Sequence, residues 1–192
     1  MVYKNILEMD QLTFKFPFSK KYYEQDYFVS NNNFSAYKLI DSWPNWPGKW
    51  LNIFGETGSG KTHLSKILEK RINKIKLIDA KNVDNKTIEE LNNLQCLIID
   101  SFENNIKENL LYSILNQSKQ KDKYILINSI KSINNIDFNL KDLISRLKSF
   151  IFFGIDLPTD DLLKVIITKN LSDKQIRISP KMISYIINNI DR

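Results

Sequence analysis

Apolar residues change their spacing repeatedly along the chain, and this pattern predicts its secondary structure. From residue 50 onward, short apolar runs alternate with longer segments in which apolar residues recur every three or four positions. The runs predict buried strands, and the longer segments predict amphipathic helices. Strands are expected at 50–54, 76–80, 94–100, 123–128 and 149–155, and helices at 61–73, 104–119, 139–148 and 159–171. Such alternation is typical of an α/β fold with a parallel sheet covered on both faces.

The two ends of the chain follow other patterns. In Gln11-Leu12-Thr13-Phe14-Lys15-Phe16-Pro17-Phe18, apolar and polar residues alternate, which predicts an extended segment. It is either an edge strand that ends at Pro17, or a peptide that fits alternate side chains into a partner's pocket. A helix is expected at about 33–43, and a short one around 87–91. The last helix should begin at Ser179-Pro180, with serine as the N-cap and proline in the first helical position.

Composition narrows the class of protein. With 192 residues, the chain can bury the core of one α/β domain and a small additional element. The sequence shows no long uncharged apolar run and no secretory signal. Its single cysteine, Cys96, excludes an internal disulfide. We therefore expect a soluble protein of the reducing cytoplasm. The net charge of +6 is spread along the chain and is therefore weak evidence for binding to nucleic acid.

The strongest chemical signal is a phosphate-binding loop after the first predicted strand. Gly55-Glu56-Thr57-Gly58-Ser59-Gly60-Lys61-Thr62 fits the pattern G-x-x-x-x-G-K-[ST]. Its backbone N–H groups can surround a polyphosphate, Lys61 can contact the β- and γ-phosphates, and the Thr62 hydroxyl can bind Mg²⁺. Three of the five glycines fall within residues 55–60, and a helix follows directly. The sequence therefore predicts a site for a nucleoside triphosphate or diphosphate.

Polar side chains at the ends of two later strands can complete this site. Asp100 ends an apolar run and is a candidate ligand for Mg²⁺ or for its water. Asn128 or Ser129, at the end of the next strand, could bind the γ-phosphate or belong to an ordinary turn. Ser101 cannot act as a general base, and Glu103 lies two residues further on, so we expect slow unassisted hydrolysis.

Two other residues have ordinary explanations when they are considered alone. Considered alone, Arg146 is expected to be a solvated or ion-paired surface residue. His63, the only histidine, is expected to pack or form hydrogen bonds and not to act in catalysis.

Taken together, these segments resemble the AAA+ ATPase module of the bacterial replication initiator DnaA and its relatives. The resemblance is carried by Phe28-Val29 with Asn33 and Ala36, by Gly60-Lys61-Thr62-His63-Leu64, by Ile99-Asp100 and by Asp142-Leu143-Ile144-Ser145-Arg146-Leu147. The connector Trp43-Pro44-Asn45-Trp46-Pro47-Gly48 and the segment Gln11–Phe16 are similar to one branch, the Hda regulators (regulatory inactivators of DnaA), in their alphaproteobacterial form.

This resemblance implies an AAA+ P-loop NTPase with a parallel five-stranded sheet in the order 5-1-4-3-2, flanked by helices, and a partial C-terminal helical lid. It implies an extended N-terminal segment at 1–20, a nucleotide-binding core at 21–157 and the start of the lid at 158–192. The chain is expected to end before the lid arginine called sensor II.

The resemblance also implies roles for individual residues. Phe28 and Val29 would contact adenine, His63 would join the loop in binding ATP or ADP, and Asn128 would be the sensor at the γ-phosphate. Arg146 would be an arginine finger that enters the nucleotide site of a neighbouring subunit. Gln11, Leu12, Phe14 and Phe16 would bind the sliding clamp of DNA polymerase III.

The implied function is regulation of chromosomal replication. Bound to the clamp on DNA, and thus associated with the replisome and nucleoid, the protein would stimulate ATP hydrolysis by DnaA and prevent over-initiation. The alternatives are a DnaA-like or helicase-loader ATPase that acts directly on DNA, and a metabolic phosphotransferase. The sequence leaves open whether ADP or ATP is the working ligand and whether the chain forms a homo-oligomer.

Overall fold

The computed structural model describes residues 22–190. The helices of this part are α1 (Phe34–Asp41), α2 (Lys61–Arg71), α3 (Asn85–Glu90), α4 (Glu108–Gln120), α5 (Lys141–Leu147), α6 (Asp160–Asp173) and α7 (Pro180–Asn188). The strands are β1 (Trp50–Phe54), β2 (Ile75–Asp79), β3 (Cys96–Phe102), β4 (Tyr124–Ser129) and β5 (Ile151–Gly154). Short 3₁₀ turns lie at Glu24–Asp26, Ala80–Asn82, Leu91–Asn93 and Ile133–Asn135. The segment Gln11–Phe16, predicted to bind the clamp, lies outside the described residues.

The five strands form one parallel sheet in the order β2-β3-β4-β1-β5. This confirms the order 5-1-4-3-2, read from the other edge, and with it the AAA+ P-loop fold class. Phe54 at the end of β1 is in register with Ser129 of β4, and β4 in turn neighbours β3. The carboxyl ends of β1, β4 and β3 therefore bring the phosphate loop, Asn128 and Asp100 to one edge of the sheet.

Two separate apolar clusters cover the two faces of the sheet. The first packs α1 and α2 on one face and includes Leu51, Ile53, Leu64, Leu68, Ile98 and Leu126. The second packs α4 and α5 on the other face and includes Trp50, Leu97, Ile99, Leu111, Ile114, Leu143 and Leu147. Burial of each of these leucine and isoleucine side chains contributes about 1.5–3 kcal/mol to stability. The helix that follows the phosphate loop and the helix that carries Arg146 thus lie on opposite faces.

The segment after Asp100 differs from its prediction. Strand β3 continues to Phe102 through an irregularity at Ser101, whose φ is +57°. Helix α4 begins at Glu108 and not at 104, because Asn104 has a left-handed φ of +60° and the Asn105 side chain bonds to the backbone. It accepts from Glu103 N and donates to Ser101 O, each at 3.2 Å. Short polar side chains that bind nearby backbone compete with helix formation.

The helices near the ends of the described part agree with the sequence pattern. The Ser179 hydroxyl accepts a hydrogen bond of 3.3 Å from Met182 N, so the predicted N-cap of α7 is confirmed. Within residues 22–190, no helix has both the length and the apolar character that crossing a bilayer requires.

Candidate nucleotide-binding site

The phosphate loop is fixed to the sheet at its first glycine. Gly55 N donates to Ser129 O at 3.2 Å and to Ile130 O at 3.1 Å, so the turn after β4 supports the loop. A Cβ atom at Gly55 would lie 2.5 Å from Ile155 O, which explains why this position must be glycine. Gly60, with φ of +100°, begins α2 in a left-handed conformation that side chains rarely adopt.

The side chain of Lys61 forms hydrogen bonds with the phosphate loop. Its Nζ donates to Gly55 O at 2.6 Å, to Glu56 O at 2.9 Å and to Ser59 Oγ at 3.2 Å. Desolvation by burial lowers the pKa of Lys61, although the negative charges of Asp100 and Glu56 act to raise it. The ammonium is therefore held where an anion would stabilise it, at the N-terminus of α2, whose dipole also favours negative charge.

A hydrogen-bond network joins the loop helix to the two strands beyond it. Thr62 Oγ1 donates to Asp100 Oδ2 at 2.7 Å, and Asn128 Nδ2 donates to Asp100 Oδ1 at 2.8 Å. The same amide also donates to Ser65 Oγ at 2.8 Å. Asp100 is only 8% exposed, and Asn128 is completely buried. The structure thus brings together three of the predicted site residues, and the network holds both oxygens of the carboxylate in place.

Thr62 and Asp100 fit a magnesium ion. Mg²⁺ takes oxygen ligands at about 2.0–2.1 Å in octahedral geometry, so two adjacent ligands lie about 3 Å apart. The separation of Thr62 Oγ1 and Asp100 Oδ2, 2.7 Å, is close to this. No group of three or more His, Cys, Asp or Glu residues that could hold a metal occurs in residues 22–190. A metal here would therefore depend on phosphate and water oxygens for its remaining ligands.

The residues predicted to contact adenine follow a tyrosine that touches the loop. Tyr27 lies beside Gly60, where a Cβ atom would be 3.0 Å from its ring. Phe28 is half-buried, and its carbonyl accepts from Asn33 Nδ2 at 2.9 Å, while Val29 is exposed. Phe28 and Val29 thus directly follow a residue that contacts the loop, and their predicted contact with adenine stays a prediction.

His63 is engaged within the protein. Its Nε2 lies 2.7 Å from Tyr23 O, and its ring makes edge-on contacts with Tyr22 and Tyr27 at 5.3 Å. These contacts agree with the packing and hydrogen-bonding role expected for this histidine. Its predicted contact with a nucleotide stays a prediction.

Two supporting residues escaped the sequence analysis. Asn52 is buried in β1; its Nδ2 donates to Ile127 O and Ser129 Oγ, each at 2.9 Å, and its Oδ1 accepts from Ile133 N at 3.1 Å. It therefore fixes the turn that holds Gly55. Ser65 is the second, as the buried partner of Asn128. The sequence signal that could have identified them is a polar residue within an apolar pattern, Asn52 in β1 and Ser65 in α2.

Arg146 and the chain's own phosphate loop lie on opposite sides of the sheet. It sits in the last turn of α5, half-buried, on the face of the sheet opposite to α2. Because the chain then enters β5 at Ile151, Arg146 is near the amino ends of the strands, whereas the loop follows the carboxyl end of β1. Within residues 22–190 its guanidinium has no hydrogen bond or ion pair, so the surface ion pair considered for it is not observed there.

Comparison with known proteins places this site in a familiar fold. A family model described as RNA helicase matches residues 51–145, just under half of the chain, including the phosphate loop and Asp100 but not Arg146. No curated protein matches the chain significantly.

Several solved structures resemble most of the chain. Domain III of the Thermotoga maritima replication initiation protein DnaA has a TM-score of 0.73 and 19% identity, and covers 92% of this chain and 84% of its own. AMPPCP-bound DnaA from Aquifex aeolicus has a TM-score of 0.71 and 21% identity, over 90% of this chain and 62% of its own. A replication initiator DnaA bound to AMPPCP and single-stranded DNA has a TM-score of 0.71 and 20% identity, over 90% and 61%.

The chain spans about three fifths of the length of the last two DnaA structures. At these identities the likeness is one of fold. The chain therefore has the DnaA-like AAA+ P-loop fold, with its phosphate loop, Asp100 and Asn128 at one edge of the sheet.

Proposed function

We propose that this protein is a nucleotide-binding regulator of chromosomal replication initiation that uses Arg146 to stimulate ATP hydrolysis by DnaA. The observation that carries the proposal is the position of Arg146. Its guanidinium is unpaired within residues 22–190 and lies on the opposite face and the opposite edge of the sheet from the chain's own phosphate loop. An arginine placed in this way can serve a nucleotide bound to another subunit.

The chain's own site holds ATP or ADP. Residues 55–62 surround the phosphates, Lys61 exchanges its contacts with loop carbonyls for phosphate oxygens, and Thr62 and Asp100 bind Mg²⁺ or its water. Phe28, Val29 and His63 would bind on the adenine side, and Asn128 would be the sensor residue for the γ-phosphate. When bound, Mg²⁺ neutralises part of the phosphate charge.

Hydrolysis at this site is slow. Ser101, directly after Asp100, is exposed, and its hydroxyl cannot accept a proton from water at neutral pH. Glu103 is exposed and lies beyond the irregularity in β3. The nucleotide therefore acts mainly as a ligand that stabilises the fold and its partner-binding surface.

Arg146 acts on the other nucleotide. In DnaA, water attacks the γ-phosphorus as the bond to the β-phosphate oxygen breaks, and negative charge spreads over the transferred phosphoryl group. A guanidinium placed at that group stabilises the charge and raises the rate by on the order of 10³–10⁵-fold, about 4–7 kcal/mol of barrier. This is enough to convert a slow switch into a fast one.

The sliding clamp keeps the protein on DNA. Gln11 would form hydrogen bonds at the rim of the clamp pocket, and Leu12, Phe14 and Phe16 would fill it, because alternate side chains of an extended peptide point the same way. Support for this step is the resemblance of the sequence to Hda regulators. The fold supports the wider proposal, since the similar solved structures include a replication initiator DnaA and domain III of the replication initiation protein DnaA.

The test is a turnover measurement with ATP-loaded DnaA. The protein should accelerate hydrolysis when clamp-loaded DNA is present. In Gln11→Ala, the part of this acceleration that depends on the clamp should be lost. No acceleration under any condition would contradict the proposal. Salt-sensitive binding to single-stranded DNA without binding to the clamp would favour the alternative, an ATPase that acts directly on DNA.

A further inference from the structure

Helix α5, which carries Arg146, has no cap of its own. It is only seven residues long, and the side chain of its N-cap residue, Leu140, forms no capping hydrogen bond. A helix of about two turns is marginal without outside contacts. The orientation of α5 must therefore be set by residues elsewhere in the chain.

The carboxylate of Glu108 holds the start of α5. Glu108 Oε2 accepts from Leu140 N at 2.6 Å, and its two oxygens accept from Asn139 N at 2.9 and 3.1 Å. Asn139 Nδ2 adds a fourth hydrogen bond at 3.2 Å. The hydrogen bonds from the amides of Asn139 and Leu140 lower the pKa of Glu108, so the group is charged at neutral pH. A negative charge at this place also suits the helix dipole.

Two further contacts join the segment before Glu108 to the segment before α5. Asn104 Nδ2 donates to Asp137 O at 3.3 Å, and the rings of Phe102 and Phe138 stack with their centroids 6.5 Å apart. The segment 102–108 thus holds the segment 137–140 at three points. Since Phe102 is the last residue of β3, α5 is anchored to the strand that carries a predicted magnesium ligand.

We propose that Glu108 is a positioning residue, which fixes α5 so that Arg146 reaches the partner's nucleotide in the correct place. This inference rests on the proposed function. An arginine that completes a foreign active site must be placed to within about 1 Å, because a misplacement of that size can cost on the order of 10²-fold in rate. The four hydrogen bonds of Glu108 are a direct means to this accuracy.

The test compares three variants of the full chain in the turnover assay with ATP-loaded DnaA and clamp-loaded DNA. Glu108→Ala removes all four hydrogen bonds, and Glu108→Gln keeps an acceptor oxygen but loses the charge. Glu103→Gln is the matched control, because Glu103 is an exposed carboxylate in the connection that leads to α4. Stimulated rate is measured against the concentration of the protein, and hydrogen exchange reports on the amides of residues 139–147.

We expect Glu108→Ala to lower the maximal stimulated rate by about tenfold or more, with Glu108→Gln intermediate and Glu103→Gln unchanged. The half-saturating concentration and the affinity for ATP should stay as in the wild type, while the amides of Asn139 and Leu140 exchange faster. If Glu108→Ala does not fold, the same comparison is made with Glu108→Gln.

Two results would overturn the role of Glu108 alone. One is wild-type stimulation by the Glu108 variants, and the other is a raised half-saturating concentration at an unchanged maximal rate, which would indicate direct contact with DnaA. If the wild-type protein gives no stimulation, the proposed function itself is wrong, and the positioning role is overturned with it.

Discussion

The hydroxyl of Thr62 donates a hydrogen bond of 2.7 Å to the carboxylate of Asp100, which joins the first turn of α2 to the end region of β3. The two residues are far apart in the sequence, yet their oxygens lie as close as two neighbouring ligands of one magnesium ion. Asn128 holds the other oxygen of the carboxylate. Both oxygens of the Asp100 carboxylate are therefore held by hydrogen bonds at this edge of the sheet.

Asp100→Asn should separate the binding of nucleotide from the effect of magnesium. The amide keeps the size of the side chain but loses the negative charge that favours a divalent cation, so Mg²⁺ should raise the affinity for ATP much less than in the wild type. Titration of a fluorescent ATP analogue in EDTA and in Mg²⁺ measures both values, with Glu103→Gln as control. An unchanged magnesium effect would contradict the role of Asp100.

Lys61→Ala should weaken nucleotide binding strongly. A hydrogen bond between charged groups contributes about 1.5–3 kcal/mol, which corresponds to roughly 10- to 150-fold in affinity. Lys66→Ala removes a partly exposed lysine of the same helix and should bind as the wild type does. Calorimetric titration with ATP distinguishes the two, and equal affinities would show that the loop does not bind phosphate through Lys61.

Asn52→Ala should destabilise the fold and weaken nucleotide binding together. It leaves the buried Ile133 N–H without its partner, at a cost of about 1–3 kcal/mol, and removes the hydrogen bond that the Ser129 hydroxyl accepts, so the turn that supports Gly55 is loosened. Urea unfolding should show this loss, whereas Asn134→Ala, at an exposed position in the same turn, should change stability by less than about 0.5 kcal/mol. Equal stability of the two variants would refute the assignment.

The thiol of Cys96 should be unreactive in the folded protein. Cys96 is completely buried in β3, and burial raises its pKa well above the usual range. Because only the thiolate attacks disulfide reagents, labelling should occur at the rate of unfolding and speed up in urea. Fast labelling of the native protein would show that this part of the sheet opens readily.

The sequence predicted the central elements of the fold because each is coded locally. The strand that contains Ile53 and the helix that contains Leu64 differ in the spacing of their apolar residues. The glycines of the loop between them fit the phosphate-binding pattern. The order of the strands came from the resemblance and is confirmed. Pattern alone could not supply it, since strand order depends on contacts between distant segments.

What the sequence did not reveal depends on such distant contacts. Glu108 looks like a surface residue of α4 until Asn139 and Leu140 are found beside it. Asn52 reads as an interruption of a strand until the turn after β4 is seen to need its amide. The late start of α4 follows from the side chain of Asn105, which binds backbone that a longer helix would have used.

The central claim is that Arg146 acts on a nucleotide held by another subunit. The most direct measurement is the hydrolysis of ATP by DnaA in the presence of clamp-loaded DNA and either the wild-type chain or Arg146→Ala. Arg177→Ala serves as control, because Arg177 is exposed in the connection between α6 and α7. We expect Arg146→Ala to bind ATP normally and to lose the stimulation, a fall of on the order of 10³-fold or more where the assay allows, while Arg177→Ala retains it. Full stimulation by Arg146→Ala would contradict the account.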